Sequence, residues 1–509
     1  MEQAINVPAA TVFAGLFAFV TIVGFVAAQW RKGDLSELVE WGLGGRRFGT
    51  LIAWFLLGGD LYTAYTFVAV PALVFGAGAI GFYAVPYTIL VYPLLFAVFP
   101  RLWSVAHANG YVTAADFVRG RFGSSVLACA VALTGIIATV PYIALQLVGI
   151  EVVIAGLGIQ GKIPLVIAFA VLAAYTYAGG LRASALIAVV KDLLIYVTVI
   201  TAVIVIPAEL GGLQKIFAAI PASKLLLPKA GQGNLGMQGG YATLALGSAL
   251  ALFLYPHAIT GVLSSSSRHV IRRNAVVLPA YSVALGLIAL LGYMAVAAGV
   301  KAMPAYAAGF KAFGPNFAVP ALFLQMFPSW FVGVAFAAIG VGALVPAAIM
   351  SIACANLFTR NIFTEFVAPT CTPAREAQVA KLTALAVTLG ALCFALFVPQ
   401  IYAINLQLLG GIWIIQTLPA VLVGLYLRLN PAALLMGWGV GIVAGTSMEL
   451  SLGFKGSIYA LHIFGWTMPC YAALSSLILN LAVSLVFTPL CTMLATKPSF
   501  DATAAEDYV

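Results

Sequence analysis

Leu57-Gly58-Gly59-Asp60-Leu61-Tyr62-Thr63 lies in the middle of an apolar run, residues 49–76, and its reading decides the fold. Crossing a bilayer as a helix takes roughly 20 apolar residues. A glycine pair followed by a carboxylate at that depth marks a break in such a helix. Unwound backbone exposes carbonyls that coordinate a cation and helix N-termini that favour an anion. The plainer alternative is a packing glycine pair with Asp60 salt-bridged elsewhere. The cost of placing a carboxylate in lipid weighs against that alternative.

A second interruption, Phe253-Leu254-Tyr255-Pro256-His257, lies in the run 241–263. Proline removes a backbone donor and kinks a helix. A histidine beside it can donate hydrogen bonds or carry a proton. Alone, this is equally a simple proline kink with a satisfied histidine.

Composition places both breaks in a membrane protein. Of 509 residues, 63% are hydrophobic and 8% charged, against about 25% charged in a soluble domain. Thirteen spans are expected: 9–29, 49–76, 80–100, 125–157, 163–178, 183–208, 241–263, 275–299, 329–358, 380–398, 402–427, 432–450 and 471–495. The first run follows Glu2 and precedes Arg31 and Lys32, the reverse of a signal peptide. It is therefore read as a retained span with its N-terminus outside. On that orientation all 13 arginines fall in inner segments, and seven lysines fall in outer ones. This is the asymmetry the positive-inside rule demands. It puts the C-terminus inside, and about fourteen residues follow the last span, too few to fold alone. The basic residues stand singly, so no nucleic-acid surface is expected. The six cysteines have no CxxC spacing, and neither disulfides nor a metal site are expected.

The interrupted spans are the second and the seventh, each the first of a group of five. Broken helices at matching positions of two halves point to an inverted-repeat transporter, with the breaks meeting near the midplane around a substrate. The expected division is an extra helix and inner loop in 1–48, repeats in 49–208 and 241–427, and two extra helices with a tail in 428–509.

Other polar groups at membrane depth are candidates. Tyr142 and Gln146 lie one turn apart on one helix face. Lys191 and Asp192 are adjacent, about 100° apart on a helix, so both are not expected to face one groove. Ser351 is a weak signal, since a serine in a span often bonds back to its own helix. No GxxxxGK[ST], HExxH or GxSxG occurs.

The segment 110–123, with Tyr142…Gln146-Leu147, Gly179-Gly180-Leu181-Arg182-Ala183, Pro256-His257 and the run Ala347 to Ser351, resembles the sodium/solute symporter family over nearly the whole chain. Within it, Gly58 to Pro71, Ala347 to Arg360 and Leu408 to Pro419 look most like bacterial monocarboxylate permeases. The resemblance implies an all-α polytopic protein of thirteen spans around a LeuT-type core of five plus five inverted helices, in the cytoplasmic membrane. Sodium-coupled members pair two hydroxyl residues on the eighth core helix. Here Ile352 follows Ser351, and Ile offers no oxygen to a hard cation. The family's acidic residue on the fifth core helix is matched by Ala188, with Lys191 one turn on. An ammonium can take a cation's place, and burial disfavours its charged form. Asp60 argues the other way, because the family's carboxylate there supports sodium binding. The cation-coupling candidates are Asp60, Lys191 and Ser351; proton coupling through Lys191, joined by His257 or Asp60, is set ahead of a sodium ion held at Gly58, Leu61 and Ser351.

The expectation is a symporter for a small organic anion such as pyruvate, lactate or acetate, with alanine a further candidate and no cofactor. Its contacts would be Gly58, Gly59, Tyr62, Thr63, Tyr142, Gln146, Tyr255, His257, Gln407, Trp413 and Gln416. The anion would rest on free backbone donors at a broken helix. The alternatives are a sodium-coupled carrier of another small solute such as an amino acid, a transporter-like sensor, a membrane enzyme or a passive channel. The sequence leaves the oligomeric state open.

Overall fold

The computed structural model describes residues 4–29, 33–59, 62–397, 404–495 and 500–509. Fourteen principal helices carry the expected apolar runs: α1 (Val7–Gln29), α2 (Thr50–Gly59), α3 (Val70–Ala77), α4 (Ala84–Ala97), α5 (Ser125–Gly156), α6 (Ile163–Glu209), α7 (Gln238–Leu252), α8 (Pro256–Leu263), α9 (Pro279–Ala297), α10 (Ser329–Phe358), α11 (Pro373–Phe397), α12 (Ile404–Ile414), α13 (Pro431–Ser451) and α14 (Ala472–Leu494). Among the described residues ten helical segments are long and apolar enough to cross a membrane, or eleven when the bent pair α7–α8 counts as one.

One of the ten, α6, spans two expected crossings. It is interrupted at Gly180, with φ 57° and ψ −153°. Tyr175 Oη donates to Leu344 O at 3.0 Å, and Ile195 Cδ1 lies 3.4 Å from where a Cβ on Gly342 would sit. Twenty residues of straight helix would separate those two side chains by about 30 Å, yet both reach the same turn of α10. The chain therefore folds back at Gly180, where the Gly179-Gly180 loop was expected.

The helices sort by what surrounds them. α10 is apolar all round and buried almost throughout, as befits the centre of a bundle. α6, α9, α13 and α14 instead expose Ile200, Ile204, Val283, Val443 and Val486, each more than half accessible. Apolar exposure on that scale suits lipid contact. The long segments 209–240 and 300–328 carry short helices, including Leu213–Ala218 and Ala318–Met326.

One element departs from the all-helical expectation. Strands β1 (Ile458–Ile463) and β2 (Trp466–Tyr471) form an antiparallel hairpin before α14. Its two-residue turn, Phe464-Gly465, has both φ angles positive, 49° and 80°, as a type I′ turn requires.

On the face bearing the arginines, the helix Ala114–Phe122 is closed by a capping box between Thr113 and Asp116. Asp116 accepts from Val112 N and from Asn361 Nδ2, at 2.8 and 2.7 Å. This pins the helix to the π-helical segment Thr359–Val367.

A Cβ on Gly180 would stand 2.4 Å from Trp41 O, in a conformation open essentially only to glycine. Gly180→Ala is expected to cost about 1–3 kcal/mol, read as a lower melting temperature in detergent. Gly390→Ala, a helical position with open space around it, should leave the transition unchanged or slightly raised.

Candidate functional site

α2 ends at Gly59, and helical structure resumes at Tyr65 as a π-helical turn, Tyr65–Ala69, that runs into α3. π-helical turns cluster at functional sites. The carbonyls at this break are occupied by a side chain from α6. Lys191 Nζ donates to Gly59 O at 2.7 Å and to Tyr62 O at 2.9 Å. Asp192 Oδ1 makes an ion pair with the same Nζ at 2.9 Å. Three oxygens therefore ring one ammonium, and both charged side chains are fully buried. Asp192 Oδ2 accepts from Tyr281 Oη at 2.6 Å, and Tyr62 Oη donates to Tyr281 O at 3.3 Å. This corrects the expectation that Lys191 and Asp192 serve different surroundings. The four-carbon lysine stem bends back far enough to pair with its neighbour.

The donors at the break are also taken. Ala64 N–H donates to Gln146 Oε1 at 3.0 Å, and Tyr65 N–H donates to Thr63 Oγ1 at 3.0 Å. Thr63 thus acts as a cap for the resumed helix. Among the described residues, the Ala64 and Tyr65 amides at this break are not free to hold a carboxylate in this conformation. Gly58 O accepts from Tyr62 N at 3.2 Å. Asp60 and Leu61 lie outside the described residues, and so do their expected roles in cation binding.

The second break bends α7 against α8 by 50°. Tyr255 sits at the corner, and its hydroxyl donates to Gln407 O at 2.9 Å. The Tyr142 ring lies 5.3 Å from Tyr255 and 5.5 Å from His257, and the last two are 5.4 Å apart. α5 therefore touches both breaks, Gln146 the first and Tyr142 the second. Four residues of helix rise only about 6 Å, so the two interruptions lie side by side. Both ring nitrogens of His257, and both side-chain amide atoms of Gln407, are buried with no hydrogen-bond partner among the described residues. Leaving each such group unpaired costs about 1–3 kcal/mol, a cost that a polar ligand between them would remove.

Three sequence candidates bond elsewhere. Trp413 Nε1 donates to Thr446 Oγ1 on α13 at 3.1 Å. Gln416 donates to Ser476 Oγ at 2.8 Å and accepts from Asn480 Nδ2 at 3.1 Å, both on α14. Neither residue is bonded to a break, because the added C-terminal helices claim that face. Ser351 Oγ donates to Ala347 O and accepts from Thr388 Oγ1, both at 2.8 Å. Tyr281 and Thr388 were not singled out in the sequence. Each is one hydroxyl in an apolar run, with no pattern to mark it.

A model of the sodium:solute symporter family matches residues 41–441. The chain belongs to the sodium:solute symporter family. It is 52% identical over 496 residues, 96% of this chain and 98% of the relative, to the monocarboxylate transport permease protein of Rhizobium johnstonii. It is 32% identical over 466 residues to the uncharacterized symporter YodF of Bacillus subtilis, covering 91% of each. The substrate-bound outward-open structure of a Na+-coupled sialic acid symporter superposes with a TM-score of 0.75 at 16% identity, over 97% of this chain and 98% of the other. That likeness shows a common fold. The protein is thus a multi-pass membrane symporter of small organic solutes, from a transporter family and not an enzyme family.

In this symporter the Lys191–Asp192 pair can be separated from its charges. Lys191→Met leaves a buried carboxylate without its cation and is expected to cost about 3–5 kcal/mol. Lys191→Met/Asp192→Asn should recover most of the melting temperature in detergent. A double variant no more stable than Lys191→Met would show that the pair is not what holds the break.

Proposed function

We propose that this symporter imports a short monocarboxylate of the pyruvate, lactate or acetate type, with alanine a further candidate, by alternating access coupled to the proton gradient through Lys191. The observation that carries the coupling is the Lys191 ammonium on the carbonyls of Gly59 and Tyr62. Oxygens of a broken helix that could serve a hard cation are already bound to a cation the fold supplies. With its proton, Lys191 donates to the carbonyls of Gly59 and Tyr62 and forms an ion pair with Asp192. Without it, two donors remain and Asp192 loses its counter-charge. Protonation is thereby linked to the geometry of the break, and linked equilibria act in both directions.

The substrate class is supported by the 52% identical relative, named a monocarboxylate transport permease. Gln407 Nε2 and a His257 ring N–H would donate to the carboxylate, while the rings of Tyr142 and Tyr255 would border its short apolar end. The inverted repeats 49–208 and 241–427 would rock about this point. The arginine-bearing face would lie in the cytoplasm, with the N-terminus outside the cytoplasmic membrane. One proton moving with one monocarboxylate carries no net charge, so voltage adds nothing, whereas each net charge would gain about 2.3 kcal/mol per 100 mV.

Sodium coupling is the second reading, favoured by the Na+-coupled sialic acid symporter that shares the fold and by Asp60. Labelled pyruvate uptake in sodium-free buffer across a pH series decides between them. The expected result is full uptake without sodium, rising as external pH falls and lost in Lys191→Ala; strict sodium dependence removes the proton reading. Gln407→Leu should raise KM for pyruvate about tenfold, as loss of one hydrogen bond worth about 1.4 kcal/mol would. An unchanged KM would place the carboxylate elsewhere.

A further inference from the structure

Residues 500–509 are docked on the arginine-bearing face by contacts to two separate walls. Asp501 Oδ2 lies 2.7 Å from Arg121 Nη1, at the end of helix Ala114–Phe122. The same oxygen lies 3.7 Å from Arg428 Nε, beyond the end of the α12 segment. Ala502 N–H donates to Gly120 O at 2.9 Å, and Asp507 Oδ2 accepts from Asn109 Nδ2 at 3.0 Å. The Tyr508 ring is 7% exposed and lies between the guanidiniums of Arg101, at 4.7 Å, and Arg121, at 5.6 Å. Both arginines also reach across to the other wall. Arg101 Nε donates to Leu425 O and Arg121 Nε to Gly424 O, each at 3.1 Å.

These two walls contribute to a narrow cavity of about 20 Å³ beside the second break, with room for about one water. Thr113 and Ala114 line it from one wall, Thr417 from the other, and Leu254 and Pro256 from the break itself. Opening the cavity toward the arginine-bearing face requires the 113–122 wall to part from the 417–428 wall. The carboxylate of Asp501 holds a cation from each, and Tyr508 fixes the two arginines that span them.

We propose that residues 500–509 are a clasp that holds this cavity closed, and that their release permits it to open. The clasp rests on the alternating-access part of the proposed function and not on the substrate or the coupling ion. Its Asp501–Arg121 pair is largely buried and only partly screened by salt, whereas the Asp501–Arg428 pair, with Arg428 46% exposed, weakens as the Debye length falls from about 10 Å at 0.1 M to about 3 Å at 1 M.

The test uses the full chain in lipid nanodiscs without substrate. Val131, in the cavity wall, is replaced by cysteine in a background whose six native cysteines are alanine, and its labelling by a polar maleimide is timed. Asp501→Asn and Tyr508→Ala should each raise the rate about fivefold or more, the lower end of usual coupling between sites. Glu506→Gln, an exposed tail residue, should not raise it. Salt at 1 M should raise the parent's rate and add little to that of Asp501→Asn. Labelling of Asp501→Asn at the parent's rate overturns the clasp. If that variant lacks the parent's melting transition, the parent's salt response decides, and no increase overturns the clasp. Because labelling needs no substrate, failure of monocarboxylate uptake leaves this result intact.

Discussion

The contact between the Lys191 ammonium and the carbonyls of Gly59 and Tyr62 is what the rest of the site depends on. A helix cannot stop at membrane depth unless something satisfies the carbonyls it strands. Here the partner is a full positive charge, balanced by Asp192 beside it and steadied by Tyr281. Burying such a pair is expensive unless its remaining donors and acceptors are met. The two carbonyls and the tyrosine hydroxyl meet them. The break and the pair therefore stabilise each other, and neither fits the bilayer alone.

The opposite side of the break is held by neutral groups. Gln146 and Thr63 accept from the amides of Ala64 and Tyr65, so among the described residues carbonyls and amides of the first break are both met by side chains. The second break is built differently. Its corner is propped by Tyr255 on the backbone of Gln407, while His257 and the Gln407 side-chain amide have no hydrogen-bond partner among the described residues. The two interruptions differ: one is satisfied by a charged side chain, while the other leaves polar atoms unpaired among the described residues. Tyr142 and Gln146, one turn apart on α5, set the distance between them.

Much of this was legible in the sequence, for physical reasons. Apolar runs must be about 20 residues long to cross a bilayer, so the predominantly helical, membrane-spanning architecture could be read. Charges and glycine pairs at membrane depth are costly enough to stand out, and Gly58-Gly59, Gln146, Lys191 and His257 stood out for that reason. Side-chain direction was less legible. Trp413 and Gln416 share a segment with Gln407 but bond outward to α13 and α14, and nothing in one helix records which neighbour covers each face. That Gln146 caps Ala64 depends on two residues 82 positions apart. The docked tail depends on Asp501 meeting Arg121 across 380 positions, a pairing no local pattern encodes.

The most direct measurement is proton movement itself. Purified protein is sealed in sodium-free liposomes with an entrapped pH dye, the voltage is clamped at zero, and pyruvate is added outside. Acidification of the lumen in step with labelled pyruvate entry, absent in Lys191→Ala, is the expected result. Pyruvate entry that needs sodium and moves no proton would contradict the role assigned to Lys191.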